Sequence, residues 1–243
     1  MTTGKRNPLA ATLVCVAALL AGPANAADWR FQSPAEPASL IELFTSQGCN
    51  SCPPADRWLS QLQDDDGLFK TFVPVAFHVT YWDRLGWSDP FGMKSHDSRQ
   101  RTLAANTGAV VYTPGMFVDG REWRGWRYGR GLPAASGGGV LEVTGEGNRI
   151  EVRFAPRQAA KERLRVQLTY LRSDRETAVR RGENRGRKLH NDFVAGRLVE
   201  KPLQLDGDRW QATFRAAAPQ DARYVVAWVL DGNTVVQASG TSL

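Results

Sequence analysis

The hydrophobic period of this chain changes once, and that change limits the folds open to it. Before the glycine-rich stretch YGRGLPAASGGG (128–139), short apolar runs alternate with stretches that carry a helical stripe. SLIELFT (39–45) reads as a buried strand. Ala55, Trp58, Leu59 and Leu62 follow at helical spacing, then TFVPVAFHVTYW (71–82) reads as a second strand. SHDSRQRTLAANTG (95–108) reads as a helix with Ser95 as candidate N-cap and Gly108 past its end. YTPGMFVDGREWRGW (112–126) reads as two strands joined at Asp119-Gly120. That order predicts an α/β unit on a partly parallel sheet. Beyond the glycines the period becomes two: Ile150, Val152 and Phe154; Leu164, Val166, Leu168 and Tyr170; Trp210, Ala212 and Phe214; then a hairpin turning at Asp231-Gly232. This half predicts an antiparallel β-rich, sandwich-like unit of roughly seven strands. The expected division is a first domain over 27–136 and a second over 137–243.

Residues 1–26 read differently. Lys5 and Arg6 precede an apolar run from Leu9 to Ala21 that is too short to cross a bilayer, and Ala24-Asn25-Ala26 is a small-x-small cleavage pattern. The expectation is a signal peptide, an exported protein of the periplasm or exterior, and no membrane span after cleavage. Cleavage would remove two basic residues and lower the net charge from +6 to +4, too small and dispersed an excess to argue for nucleic acid. Oligomeric state is not legible.

Of the three cysteines only Cys49 and Cys52 lie beyond that segment, in QGCNSCPPAD, between a strand and a helix. In an oxidising compartment such a pair tends to form a disulfide. As a staple it is weak, since closing so short a loop restricts the unfolded chain by only about 2 kcal/mol. As a reactive dithiol it is well placed, because the N-terminus of the following helix stabilises a thiolate. Cys49 would attack and Cys52 would resolve the mixed disulfide. The chain would then be a thiol–disulfide oxidoreductase acting on protein or small-molecule thiols and disulfides, with no cofactor. The alternative is a scaffold that binds a protein partner or Cu(I), the metal being held by Cys49 and Cys52 with His78 at the end of the second strand. With no second C-x-x-C, zinc is disfavoured.

The C-x-x-C at a helix start and Thr113-Pro114 before a strand resemble the thioredoxin superfamily. ELFTSQGCNSCPPAD, HVTYWDRLGWSD, YTPG and GENRGRKLHNDFV together resemble a family of exported bacterial proteins catalogued as domain of unknown function 1223. The resemblance implies an α/β thioredoxin-like N-terminal domain followed by a β-rich domain. It also implies a cis bond before Pro114, with Thr113 and Pro114 presenting backbone to a substrate. Glu42 stands roughly where such proteins keep a buried proton-transferring acid, but one residue further from the cysteine, a step that turns it to the other face. Gly48, in place of an aromatic residue, would leave Cys49 open, and Pro53-Pro54 would delay the helix.

Two further groups read in two ways each. Trp82 and Trp87, with Tyr81 and Phe91, form either a substrate wall, with Asp83 as proton acceptor, or an aromatic cluster closing the core, with Asp83 capping a turn. Arg180, Arg181, Arg185, Arg187 and Lys188 form either an anion-binding patch or a solvated hairpin loop.

Overall fold

The computed structural model describes residues 1–2, 28–160 and 163–243, with two α-helices, three short 3-10 helices and sixteen strands; the expected signal peptide, apart from its first two residues, lies outside the described residues. In chain order the first elements are β1 (Trp29–Gln32), β2 (Ser39–Thr45), α1 (Pro53–Ser60), β3 (Phe72–His78), α2 (Lys94–Thr107), β4 (Gly115–Val118) and β5 (Arg121–Glu122). After the glycine-rich stretch come β6 (Gly139–Glu146), β7 (Arg149–Pro156), β8 (Leu164–Arg172), β9 (Arg175–Ala178), β10 (Lys188–Asn191) and β11 (Val194–Ala195). The last are β12 (Val199–Pro202), β13 (Gln204–Asp206), β14 (Arg209–Arg215), β15 (Tyr224–Asp231) and β16 (Thr234–Ser242).

One nine-stranded sheet runs in the order β16-β15-β8-β11-β3-β2-β4-β5, with β12 also paired to β8. One edge is the last strand of the chain and the other, β5, lies near its middle. β2 and β3 are parallel in register from Ser39↔Phe72 to Thr45↔His78, and β4 returns antiparallel to β2. β11 joins the halves, parallel to β3 at Val194↔Ala76 and antiparallel to β8. A five-stranded antiparallel sheet, β1-β6-β7-β14-β13, includes a strand from before β2. β9 and β10 form a separate two-stranded sheet.

These pairings correct the expected fold class. Among the described residues the chain is mostly β-strand in three sheets, with only two short α-helices, and no helix-rich α/β thioredoxin-like N-terminal domain stands ahead of a separate β-rich, sandwich-like one. The physical reason lies in β15, buried from Tyr224 to Leu230. Its Val226, Trp228 and Leu230 face the core built by Ile41, Leu43, Phe44, Val75 and Phe77. Its Val225, Ala227 and Val229 face a second core, with Leu141, Val143, Ile150, Val152 and Phe154 of the five-stranded sheet. A strand covered on both faces belongs to two cores and ties them together.

The helices end where local chemistry requires. α1 has prolines in its first turn, where a missing N–H costs nothing. α2 stops at Gly108, whose φ of 69° is left-handed. Ser95 falls one residue inside α2, and the N-cap is Met93. Among the described residues no helix is long and apolar enough to cross a membrane.

Candidate functional site

β2 and β3 end side by side at Thr45 and His78, and the chain leaving β2 turns through Ser46–Gly48 to reach Cys49. Cys49 and Cys52 are joined by a disulfide with their Cα atoms 5.5 Å apart. Cys52 is the N-cap of α1, and its carbonyl accepts from the N–H groups of Ala55 (2.9 Å) and Asp56 (3.1 Å). Ser51 Oγ lies 3.3 Å from Cys49 Sγ. The pair therefore stands at a helix start, at the edge where the parallel strands finish.

The expected openness of Cys49 is overturned, since both cysteines have no exposed surface. Gly48 does not open the loop; it lets Trp82 approach, because a Cβ there would sit 3.0 Å from the Trp82 Cβ. The rest of the cover comes from the loop between β9 and β10. Asn184, wholly buried, donates from Nδ2 to the carbonyls of Gln47 and Cys49, each at 2.9 Å. Glu183 accepts from the Asn50 N–H at 3.1 Å. The arginine cluster is thus a hairpin loop with exposed cations outside and one buried amide aimed at the cysteine loop. Its sequence shows only the charge.

Beneath the disulfide lies a buried set of charges. His78 and Thr45 are register partners in parallel strands, so they share the face on which α1 packs. His78 Nδ1 pairs with Asp89 Oδ2 at 2.8 Å, both wholly buried, and the same oxygen accepts from the Gln47 N–H at 2.8 Å. Burial works against a charge on His78, but Asp89 and then Asp56 outweigh it and hold its pKa above the ordinary value. Burial also opposes charge on Asp89, yet His78 and the backbone N–H groups of Gln47 and Phe91 keep its pKa low. Asp56, one helical turn from Cys52, has its pKa pushed up to about 6 by burial, with His78 pulling the other way. Sequence reading missed Asp56 and Asp89. The legible signal was spacing, since Asp56 follows Cys52 by four residues and shares its helix face.

The other anticipated residues are distributed around this centre. Thr113-Pro114 is a cis bond, and Thr113 Oγ1 accepts from Trp82 Nε1 at 2.7 Å. Trp87 Nε1 donates to Gln47 Oε1 at 3.3 Å. Both tryptophans thus fasten loops around the cysteines. Asp83 accepts from Ser88 Oγ and the Asp89 N–H, each at 3.2 Å, which holds the turn carrying Asp89. Glu42 lies on the opposite face of β2, wholly buried and paired with Arg99 of α2. Arg99 stacks over Phe77 and Trp228, so this ion pair is on the α2 side, away from the disulfide. Among the described residues no cluster of three or more His, Cys, Asp and Glu side chains is arranged to hold a metal ion. In this oxidised form the two sulfurs are bonded to each other rather than open to Cu(I), and His78 is committed through Nδ1 to Asp89.

Comparison with known proteins gives a family and two likenesses of fold. A sequence model of the family described as "Protein of unknown function (DUF1223)" matches residues 40–230, a span that includes every site residue named above. A crystal structure of a protein from Agrobacterium tumefaciens is similar with a TM-score of 0.62 and 24% identity, over 84% of this chain and 94% of that one. HBP35 of Porphyromonas gingivalis is similar with a TM-score of 0.58 and 14% identity, over 87% of this chain and 76% of that one. These two likenesses concern the fold. No curated protein matches the chain.

Proposed function

This chain belongs to the DUF1223 family, and from its disulfide at the start of α1 we propose that it is a thiol–disulfide oxidoreductase working through Cys49 and Cys52. The observation that carries the reading is the position of that bond, between the end of a parallel strand pair and a helix N-terminus, with the buried Asp56 carboxyl one turn away. A staple would have little to do here, since a loop this short stabilises by only about 2 kcal/mol and the chain already has two apolar cores.

In the reducing direction the Cys49 thiolate attacks a substrate disulfide, and one substrate sulfur leaves as thiolate. The Cys52 thiolate then attacks Cys49 Sγ, closing the 49–52 bond and releasing the second substrate sulfur. Two electrons pass from the protein to the substrate, and an external dithiol restores the pair. In the oxidising direction every step reverses. The positive dipole end of α1, whose first two residues are prolines without an N–H, favours the thiolate of the open form. Asp56, with a pKa of about 6, holds or gives up a proton in the range where exchange runs. Thr113 and Pro114 flank the approach, and Trp82, hydrogen-bonded to Thr113, walls it. The reading includes a signal peptide over 1–26 and work in an oxidising, exported setting.

Reduction of a protein disulfide such as that of insulin, with dithiothreitol as electron source, is the test. The natural chain should accelerate it. Cys49→Ser should abolish turnover, and Cys52→Ser should accumulate a mixed disulfide on Cys49. Equal rates for the natural chain and the doubly substituted C49S/C52S chain would reject the proposal.

A further inference from the structure

An exchange centre with no exposed surface needs a way to open, and the cover has a definable origin. The polar contacts over the cysteine loop come from the segment between β9 and β10, more than a hundred residues further along the chain. Among the described residues β9 and β10 pair only with each other, from Lys188↔Ala178 to Asn191↔Arg175, and are not hydrogen-bonded into the nine-stranded sheet. Two-stranded hairpins have little stability of their own. This one is held to the site by side chains. Gln47 Nε2 donates to Thr177 Oγ1 and Asn191 Oδ1, each at 3.0 Å. Gly182, with φ of 73°, lies against Trp87, and a Cβ there would come within 3.3 Å of the Trp87 Cβ. Arg187 Nη1 donates to Asn184 Oδ1 at 3.1 Å, which fixes the amide with its NH2 toward the cysteine loop.

The groups that the hairpin occupies are informative. Asn184 takes the carbonyls of Gln47 and Cys49, while Glu183 takes the N–H of Asn50. Those are the main-chain acceptors and donor that flank the attacking sulfur. An extended peptide presenting its own disulfide to Cys49 would use the same kind of groups, since strand-like recognition is built from main-chain hydrogen bonds.

We propose that the β9–β10 hairpin is an internal lid on the Cys49–Cys52 centre, in which Asn184 and Glu183 stand in for a substrate's polar groups, so that the disulfide is attacked only when the hairpin lifts. This regulation rests on the oxidoreductase reading above, but its test does not require turnover. Opening releases these polar contacts and uncovers Val179 and Leu189, which belong to neither core, so the lifted form is reached by a local motion rather than by unfolding. Substrate and hairpin compete for one surface, and an extended, strand-like segment displaces the lid better than a compact thiol does.

The experiment uses the oxidised full chain. Reduction by dithiothreitol is followed by trapping freed thiols with a maleimide that shifts electrophoretic mobility. Asn184→Ala removes two contacts to the cysteine loop and should raise the reduction rate about tenfold. Glu183→Ala, at an exposed position, removes the acceptor of the Asn50 N–H and should raise it a few-fold. Folding of each variant is checked by circular dichroism. Should Asn184→Ala not fold, the exposed Glu183→Ala variant alone decides. Rates equal to the natural chain's in the folded variants overturn the lid, whatever the insulin assay shows. Faster reduction of the variants with no turnover of insulin by any of them keeps the lid and rejects the oxidoreductase reading.

Discussion

Asp56→Asn isolates the buried charge beneath the disulfide. In the folded chain Asp56 titrates at about 6 instead of 3.8, chiefly because burial disfavours its charged form. A raised carboxyl pKa means that the folded state holds the proton more tightly than the unfolded one. The resulting stabilisation is complete below 3.8 and is lost as pH rises through 6. A shift of about two units corresponds to about 3 kcal/mol in total, most of which is lost between roughly pH 4 and pH 8. Asn keeps the shape and carries no charge at any pH. Subtracting the variant's stability from that of the natural chain therefore removes most of the shared pH dependence and leaves this one term. His78, whose pKa is raised in part by Asp56, acts in the same direction, since it too loses stabilisation as pH rises. Urea unfolding of both oxidised proteins at half-unit pH steps gives the difference curve. The variant should gain on the natural chain by about 2–3 kcal/mol across that range, most steeply between 3.8 and about 6 and levelling off above. Parallel stability curves from pH 4 to pH 8 would refute the assignment of a buried, proton-holding carboxyl.

Two further substitutions test the frame around the site. Gly48→Ala puts a Cβ 3.0 Å from that of Trp82, an atom no rotamer change can move aside, and should destabilise by about 1–3 kcal/mol in urea unfolding; an unchanged midpoint would show that Trp82 does not press on the cysteine loop. Arg99→Met leaves the wholly buried Glu42 without its partner and should cost about 3–5 kcal/mol, most of which the double variant E42Q/R99M should restore. A double variant as unstable as the two single losses combined would mean that the pair is not one unit.

Much of the local structure was legible. SLIELFT is a strand over its whole length, and the stripe through Ala55 and Leu59 is α1. The run through Phe77 is β3, Gly108 ends α2, and Asp119-Gly120 turns β4 into β5. The two cysteines stand at the start of α1 and are bonded to each other. Each of these depends on spacing, capping or turn chemistry within a few residues, which is the range over which a sequence speaks for itself. The face of Glu42 follows from the same rule, because strand parity alone turns it toward α2 and Arg99.

What the sequence could not carry was the choice of partners at long range. Alternation in β15 and β8 marks apolar faces without saying which surface will cover them, and loop-closure entropy grows too slowly with length to favour a near partner strongly over a far one. Two halves that read as separate therefore share a sheet through β11 and β3. The same reason put the arginine-rich hairpin over Cys49 and made Asp56 a buried acid instead of a solvated first-turn charge. The residues alone settled where a disulfide forms and what begins after it; burial by segments distant in the chain decided whether that bond is open to attack and at what pH its neighbours hold a proton.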